Sequence, residues 1–121
     1  MTVCVSATGC TLDHQVDPRF GRCRYFLFVN TETLEFEAVA NPNIDAGGGA
    51  GVQSGQLLST RGAGALLTGN VGPNAYRTLQ AAGVTIYTGV HGTAREAVQR
   101  YKKGEFNATH NPTVESKFGA G

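Results

Sequence analysis

The sequence predicts an α/β fold, one mixed sheet of about five strands with helices on both faces. Two features carry that prediction. Three β-rich runs come first and helical and strand patterns then alternate, giving the order β-β-β-α-β-α-β-α, whose later units demand right-handed parallel crossovers. Two glycine-rich turns, G-G-G-A-G-V-Q over residues 47–53 and T-G-N-V-G-P-N-A over residues 68–75, each lead into an amphipathic helix. Helix N-termini would thus gather at one end of the sheet.

Residues 2–7 are a short β-rich run, and polar, Gly and Pro residues fill a long loop to about Cys23. Residues 24–30 are almost continuously apolar, as a strand covered on both faces should be. Residues 34–40 alternate, with Leu34, Phe36 and Ala38 on one side and Glu35 and Glu37 on the other, which suits a hairpin partner at a sheet edge. Ala50, Leu57 and Leu58 give residues 50–60 a helical face, although the interspersed glycines weaken it. A strand over residues 63–67 follows. Pro73 then opens a helix with Ala75, Tyr76, Leu79 and Ala82 on one face, ended by Gly83. After a strand over residues 84–88, Thr93 caps a last helix with Ala94, Ala97, Val98 and Tyr101 on its apolar stripe, and Gly104 ends it. The expected organisation is a single α/β domain over residues 1–104 and a flexible tail over residues 105–121.

The chain has 121 residues, enough for one core, and its 10 Lys and Arg nearly balance 9 Asp and Glu. That balance supplies no basic stripe for nucleic acid. No basic leader precedes the first strand, and no run approaches the roughly 18 apolar residues of a membrane span, so a cytoplasmic location without membrane association is expected. Cys4, Cys10 and Cys23 form no C-x-x-C pair, which excludes a closed four-thiolate zinc or iron–sulfur site from one chain. Cys4 reads as a core residue in mid-strand. Cys10 and Cys23 lie in or beside the first loop, where each is either a bystander or a ligand contact.

Ligands in open α/β sheets bind beyond the carboxyl ends of the parallel strands. Four segments are expected there: residues 8–22, 47–51, 69–74 and 89–93. Gly48, Gly49, Ala50 and Gly51, with Gly69 and Gly72, let backbone approach a ligand and lead into helix N-termini that favour an anion. Arg19, Phe20, Gly21 and Arg22 come from D-P-R-F-G-R-C over residues 17–23. Arg19, central in that loop, is the expected main cationic contact, while an ion pair of Asp17 with one arginine is the structural alternative. Phe20 is either a core plug or a lid. Asn70 and Asn74 either donate amide N–H groups or serve turn geometry. His91, Gly92 and Thr93 complete the rim, with His91, Cys10 and Cys23 as the candidate metal contacts. No G-x-x-x-x-G-K-[ST] is present, the G-x-G-x-x-G spacing in the glycine run follows a loop and not a strand, and no Ser–His–Asp spacing or set of strand-end carboxylates appears. These absences argue against a nucleotide hydrolase, a triad hydrolase and a two-metal nuclease.

The same segments resemble the dinitrogenase iron-molybdenum cofactor biosynthesis family over about residues 1–106: D-P-R-F-G-R-C-x-Y-F, G-A-G-V-Q, T-G-N-V-G-P-N-A, A-A-G-V-T-I-Y and Y-K-K-G-E-F, in that order. The resemblance implies a ribonuclease H-like fold and non-catalytic binding, storage or delivery of an anionic metal–sulfur cluster. A single small domain is similar to the stand-alone members of the orange-protein kind, whose cargo is a molybdenum–copper–sulfide anion; an iron–molybdenum–sulfur cofactor or precursor is the other cargo the family implies. Retention would be mainly non-covalent, since sulfides within the cluster already satisfy its soft metals. The alternative expectation is a scaffold or regulatory module for partner ATPases or cofactor-assembly proteins, with a vestigial pocket.

Overall fold

Apolar runs of period two and amphipathic runs of period 3.6 fold as expected in the computed structural model, which describes residues 1–42 and 50–114. The elements are β1 (Thr2–Ala7), β2 (Tyr25–Asn30), β3 (Phe36–Ala40), α1 (Ala50–Thr60), β4 (Ala65–Leu67), α2 (Pro73–Ala81), β5 (Thr85–Tyr87) and α3 (Ala94–Lys102). They build a five-stranded mixed sheet in the order β3-β2-β1-β4-β5. β1 is central, antiparallel to β2 with Val5 opposite Leu27, and parallel to β4 with Val5 opposite Leu67. β4 and β5 are also parallel.

Alternation along β1 splits the core in two. Cys4 faces a layer with Phe26, Phe28, Leu66 and Ile86, covered by Leu58 of α1 and by Ala75, Tyr76 and Leu79 of α2. Val3, Val5 and Ala7 face the other layer, with Leu27, Val29 and Leu67, covered by Ala94, Ala97 and Val98 of α3. Burial on both faces is why β1 and β2 read as nearly unbroken apolar runs. Close packing of α1 on α2 depends on Gly55, because a Cβ there would lie 2.8 Å from Thr78 Cγ2. Among the described residues no helix is long and apolar enough to cross a membrane.

Strand boundaries differ from expectation for local reasons. Leu34 has φ 63, a turn conformation, and its N–H donates to the Asn30 carbonyl, so the edge strand starts at Phe36. β4 and β5 are three residues each, shorter than the expected runs 63–67 and 84–88, although the Gly64 N–H still donates to the Thr2 carbonyl and the Thr68 N–H to the Tyr87 carbonyl, both at 3.0 Å. The expected tail also begins later than residue 105. Phe106 packs on Tyr87 and Arg100, the Thr109 N–H donates to the Ile86 carbonyl at 2.7 Å, and the Thr113 N–H donates to the Val71 carbonyl at 2.9 Å. Polar composition hid this segment, because its partners are backbone groups at the β5 edge and not an apolar face. Residues 115–121 lie outside the described residues.

Ser54 of α1 is fully buried, and its hydroxyl has no hydrogen-bond partner among the described residues. An unmatched buried hydroxyl is costly, and Ala is the better helix former. Ser54→Ala should therefore raise stability by about 1 kcal/mol, read as a higher urea midpoint with an unchanged slope; a fall in midpoint would show that the hydroxyl is satisfied.

Candidate functional site

Parallel pairing of β1, β4 and β5 sends the chain out of all three at the same end of the sheet. The three loops that emerge are bonded to one another through backbone. The Asn70 N–H donates to the Pro18 carbonyl at 2.8 Å, the Gly89 N–H to the Gly69 carbonyl at 2.8 Å, and the Val16 N–H to the Gly92 carbonyl at 2.8 Å. Bridges Arg19–Asn70 and Gln15–Thr93 continue the pattern. Of the four expected segments, these are three. Gly48 and Gly49 of the fourth lie outside the described residues, Ala50 begins α1, and Gly51 is buried in its first turn.

A buried polar knot holds the loops to the sheet. The Ser6 hydroxyl donates to the Asp17 carbonyl at 2.8 Å and lies 2.7 Å from the Thr68 hydroxyl, and the Asp17 N–H donates back to the Ser6 carbonyl at 2.8 Å. All three residues are buried. With residue 18 so placed, a Cβ on Gly69 would lie 2.5 Å from Pro18 Cα, so only glycine fits. Ser6 and Thr68 escaped the sequence reading; the signal was a hydroxyl residue at or just past the end of a strand otherwise built of Val, Ala, Cys and Leu.

Arg19 is braced, not free. Its N–H donates to Asp17 Oδ1 at 2.9 Å and its Nε lies 3.6 Å from the same oxygen, with the side chain 50% exposed. Arg22 is half-buried and has no ion-pair or hydrogen-bond partner among the described residues, which makes it the less neutralised cation of the loop. Phe20 is a core plug: it is 2% exposed and its ring lies 5.6 Å from that of Phe26. The Gly21 and Cys23 carbonyls accept from Asn41 Nδ2 at 3.1 and 2.8 Å, which turns that stretch of backbone inward.

The two described helix starts at this end differ in charge. α2 begins at Gly72, which offers no side-chain cap, and Pro73, which has no N–H. Among the described residues the Gly69 and Gly72 amides donate to no protein acceptor. Asn74 Oδ1 accepts from Arg77, a cation near this helix start that the sequence reading missed. At α3, by contrast, Thr93 and Glu96 form a capping box: the Thr93 N–H donates to Glu96 Oε1 at 2.9 Å and the Glu96 N–H to Thr93 Oγ1 at 3.1 Å. The hydrogen bond from the Thr93 backbone holds the Glu96 carboxyl below its usual value, so a carboxylate already occupies that helix end. Thr93 is thereby engaged within the protein, the Gly92 carbonyl accepts from the Val16 N–H, and His91 is exposed on the rim beside them. Of the two helix starts expected to face the same anion, that of α2 carries no side-chain cap and that of α3 already carries a carboxylate.

The three cysteines do not gather at one site, although Cys4 and Cys23 share a core layer. Cys10 is exposed, whereas Cys4 and Cys23 are buried. Burial, with the Asp17 charge adding to it at Cys23 and the second thiol adding to it at Cys4, pushes both buried thiols up and keeps them protonated. Among the described residues no three His, Cys, Asp or Glu side chains cluster as a metal site would need.

Two outcomes check this arrangement. At neutral pH an alkylating reagent should modify Cys10 alone in native protein and all three thiols after denaturation; rapid labelling of Cys23 would place it at the surface. Because Cys4 and Cys23 stay protonated when folded but ionise when unfolded, they contribute stability below the ordinary thiol range that is lost as pH rises through about 9, and a Cys4→Ala/Cys23→Ala variant should show a shallower alkaline decline. Phe20→Ala should cost about 3–5 kcal/mol in the absence of any ligand, as a plug would and a lid would not; an unchanged denaturation midpoint would identify a lid.

The description of the dinitrogenase iron-molybdenum cofactor family matches residues 1–104. The apo form of the orange protein from Desulfovibrio gigas superposes with a TM-score of 0.91 at 41% identity, over 93% of this chain and 96% of that one. A NifB-like protein of the DUF35 family from Thermotoga superposes with a TM-score of 0.78 at 35% identity, over 93% and 98% of the two chains. An uncharacterized protein of Methanocaldococcus jannaschii is 27% identical over 96 residues, 77% of this chain and 81% of the relative.

Proposed function

This chain belongs to the dinitrogenase iron-molybdenum cofactor family, and on that footing we propose that it is a non-catalytic carrier that binds a preassembled, anionic molybdenum-containing metal–sulfur cluster. The 41% identity with the orange protein supports the stand-alone kind of carrier, with molybdenum–copper–sulfide as the cargo tested first. The sheet order β3-β2-β1-β4-β5, with β1 to β3 as an antiparallel meander, supports a ribonuclease H-like assignment.

The observation that carries the reading is the uncapped start of α2. It leaves N–H groups of Gly69, Gly72, Asn74 and Ala75 at the positive end of a helix dipole, beside the loop that bears Arg19 and Arg22. Such donors hold an anion without forming a covalent bond to it. Scattered thiols, two of them buried and protonated, suit the same mode of retention. Glu96 at the start of α3 sets the opposite limit, since its carboxylate repels an anion that drifts toward residues 91–93.

Adding tetrathiomolybdate and Cu(I) to the apo-protein should give a coloured stoichiometric complex whose amide shifts centre on Gly69, Gly72, Asn74 and Ala75. Arg22→Ala should weaken binding by about 1–3 kcal/mol, the value of a charge-assisted hydrogen bond. Arg19→Ala should weaken it less, since Asp17 already screens that guanidinium, and affinity should fall with salt. Unmoved amide shifts across residues 69–75 during the titration would sink the proposal; a colourless protein isolated with a bound partner would select the scaffold reading instead.

A further inference from the structure

After α3 the chain does not leave the domain. Glu105 pairs with Arg100 at 3.1 Å, and Phe106 lies under the Arg100 guanidinium at 4.8 Å and against Tyr87 of β5 at 6.4 Å. The segment then follows the β5 edge. Its Thr109 N–H donates to the Ile86 carbonyl at 2.7 Å, the Thr88 N–H donates to Thr109 Oγ1 at 3.1 Å, and the two threonine hydroxyls lie 2.7 Å apart. Between Thr109 and α2 a cavity of about 180 Å³, lined by Tyr76, Gln80, Ile86 and His110 among others, lies beneath the segment. Beyond it, Thr113 engages both backbone polar groups of Val71, one in each of the two peptides that flank its Cα. The Thr113 N–H donates to the Val71 carbonyl at 2.9 Å, and the Val71 N–H donates to Thr113 Oγ1 at 2.9 Å.

Val71 stands between the two unengaged amides, Gly69 and Gly72, and its side chain is buried in the core. The Val71 carbonyl shares its peptide plane with the Gly72 N–H, so the bond from Thr113 sets where that amide points. Pro18 and Gly89 fix the turn on one side through Asn70 and Gly69, and Thr113 fixes it on the other. Thr113 is itself exposed, so its bonds compete with water and open more readily than those of the sheet. Residue 113 also lies beyond residues 1–104, the span that the family description matches.

From this we infer that residues 106–113 are a strap whose Thr113 is a positioning residue for the turn 69–72, so that strap closure and anion binding at the start of α2 reinforce each other. The inference rests on the ligand site proposed above. Coupling between two such equilibria is reciprocal: if the closed strap raises affinity, the bound anion must hold the strap closed by the same factor.

The test uses the full chain with tetrathiomolybdate and Cu(I) as probe. Thr113→Val removes the hydroxyl at nearly constant volume and Thr113→Ser keeps it. Thr113→Val should bind the probe roughly 2- to 12-fold more weakly, the effect of one lost hydrogen bond, with its thermal midpoint close to that of the wild type. Thr113→Ser should bind as the wild type does, and in wild-type protein the probe should slow hydrogen exchange of the Thr109 and Thr113 amides. A purely structural clamp would move the midpoint and leave exchange at Thr109 and Thr113 insensitive to the probe. Equal probe affinity of Thr113→Val and wild type, with faster exchange at Val71 showing the clamp broken, overturns the strap while leaving the ligand site standing. Failure of the wild type to bind the probe overturns both, and the two failures are told apart by that first titration.

Discussion

The arrangement at the carboxyl end of the sheet hangs on one buried hydroxyl, that of Ser6. It sits at the penultimate residue of the central strand and binds the Asp17 carbonyl on one side and the Thr68 hydroxyl on the other. In a layer otherwise made of apolar side chains, each of these groups would be costly if left unmatched. Their mutual satisfaction fixes residue 17 over β1, which puts the Pro18 carbonyl in reach of the Asn70 N–H. Everything that follows is geometric. Residue 69 is pressed against Pro18 until only glycine fits, the Arg19 guanidinium is drawn to the Asp17 carboxylate, and Phe20 is driven into the core beside Phe26.

With a formal net charge of only +1, the chain does not attract anions at long range, so selection is local. The described arginines are largely spent on neighbours: Arg61 on Glu37, Arg95 on Asp13, Arg100 on Glu105, and Arg19 on Asp17. Positive potential at the sheet end then comes from Arg22, from Arg77 near the start of α2 and from the unmatched amides there. The buried thiols matter here by being neutral. Held protonated, Cys4 and Cys23 add no negative charge beneath the loops, and they offer no nucleophile to exchange with sulfide. On the carrier reading proposed above, a cluster bound through N–H groups would be taken up and released intact, which is what delivery demands.

Much of this was legible in the residues. Unbroken apolar runs at β1 and β2 marked strands covered on both sides, Pro73 marked the start of α2, and Thr93 the cap of α3. Three of the four loops expected to meet do meet. What stayed hidden depends on contacts distant in sequence. Nothing local says that Asp17 will choose Arg19 over Arg22, because that choice follows from where Ser6 and Thr68 anchor the loop. Nothing local marks residues 105–113 as part of the fold either. Their polar composition is that of a solvated tail, and only the exposed backbone edge of the short strand β5 gives Thr109 something to bind.

The contrast between α2 and α3 was in the sequence and was missed, and it gives a rule for reading glycine-rich turns. Both helices start at the same end of the sheet after a loop containing glycine, so backbone logic alone treats them as equal anion sites. Side-chain logic separates them. T-A-R-E at residues 93–96 is a capping box, which uses a threonine hydroxyl and a carboxylate to satisfy the helix start and places a negative charge there. G-P-N-A at residues 72–75 contains no residue that caps, and proline at its first position removes a donor that would have had no partner. A helix that supplies its own acid has closed its N-terminus to anions. On the carrier reading proposed above, one that leaves its amides unmatched at the mouth of a sheet keeps them for a ligand, and the stability forgone by placing glycine at the cap, roughly a few tenths of a kcal/mol, is returned when the anion binds.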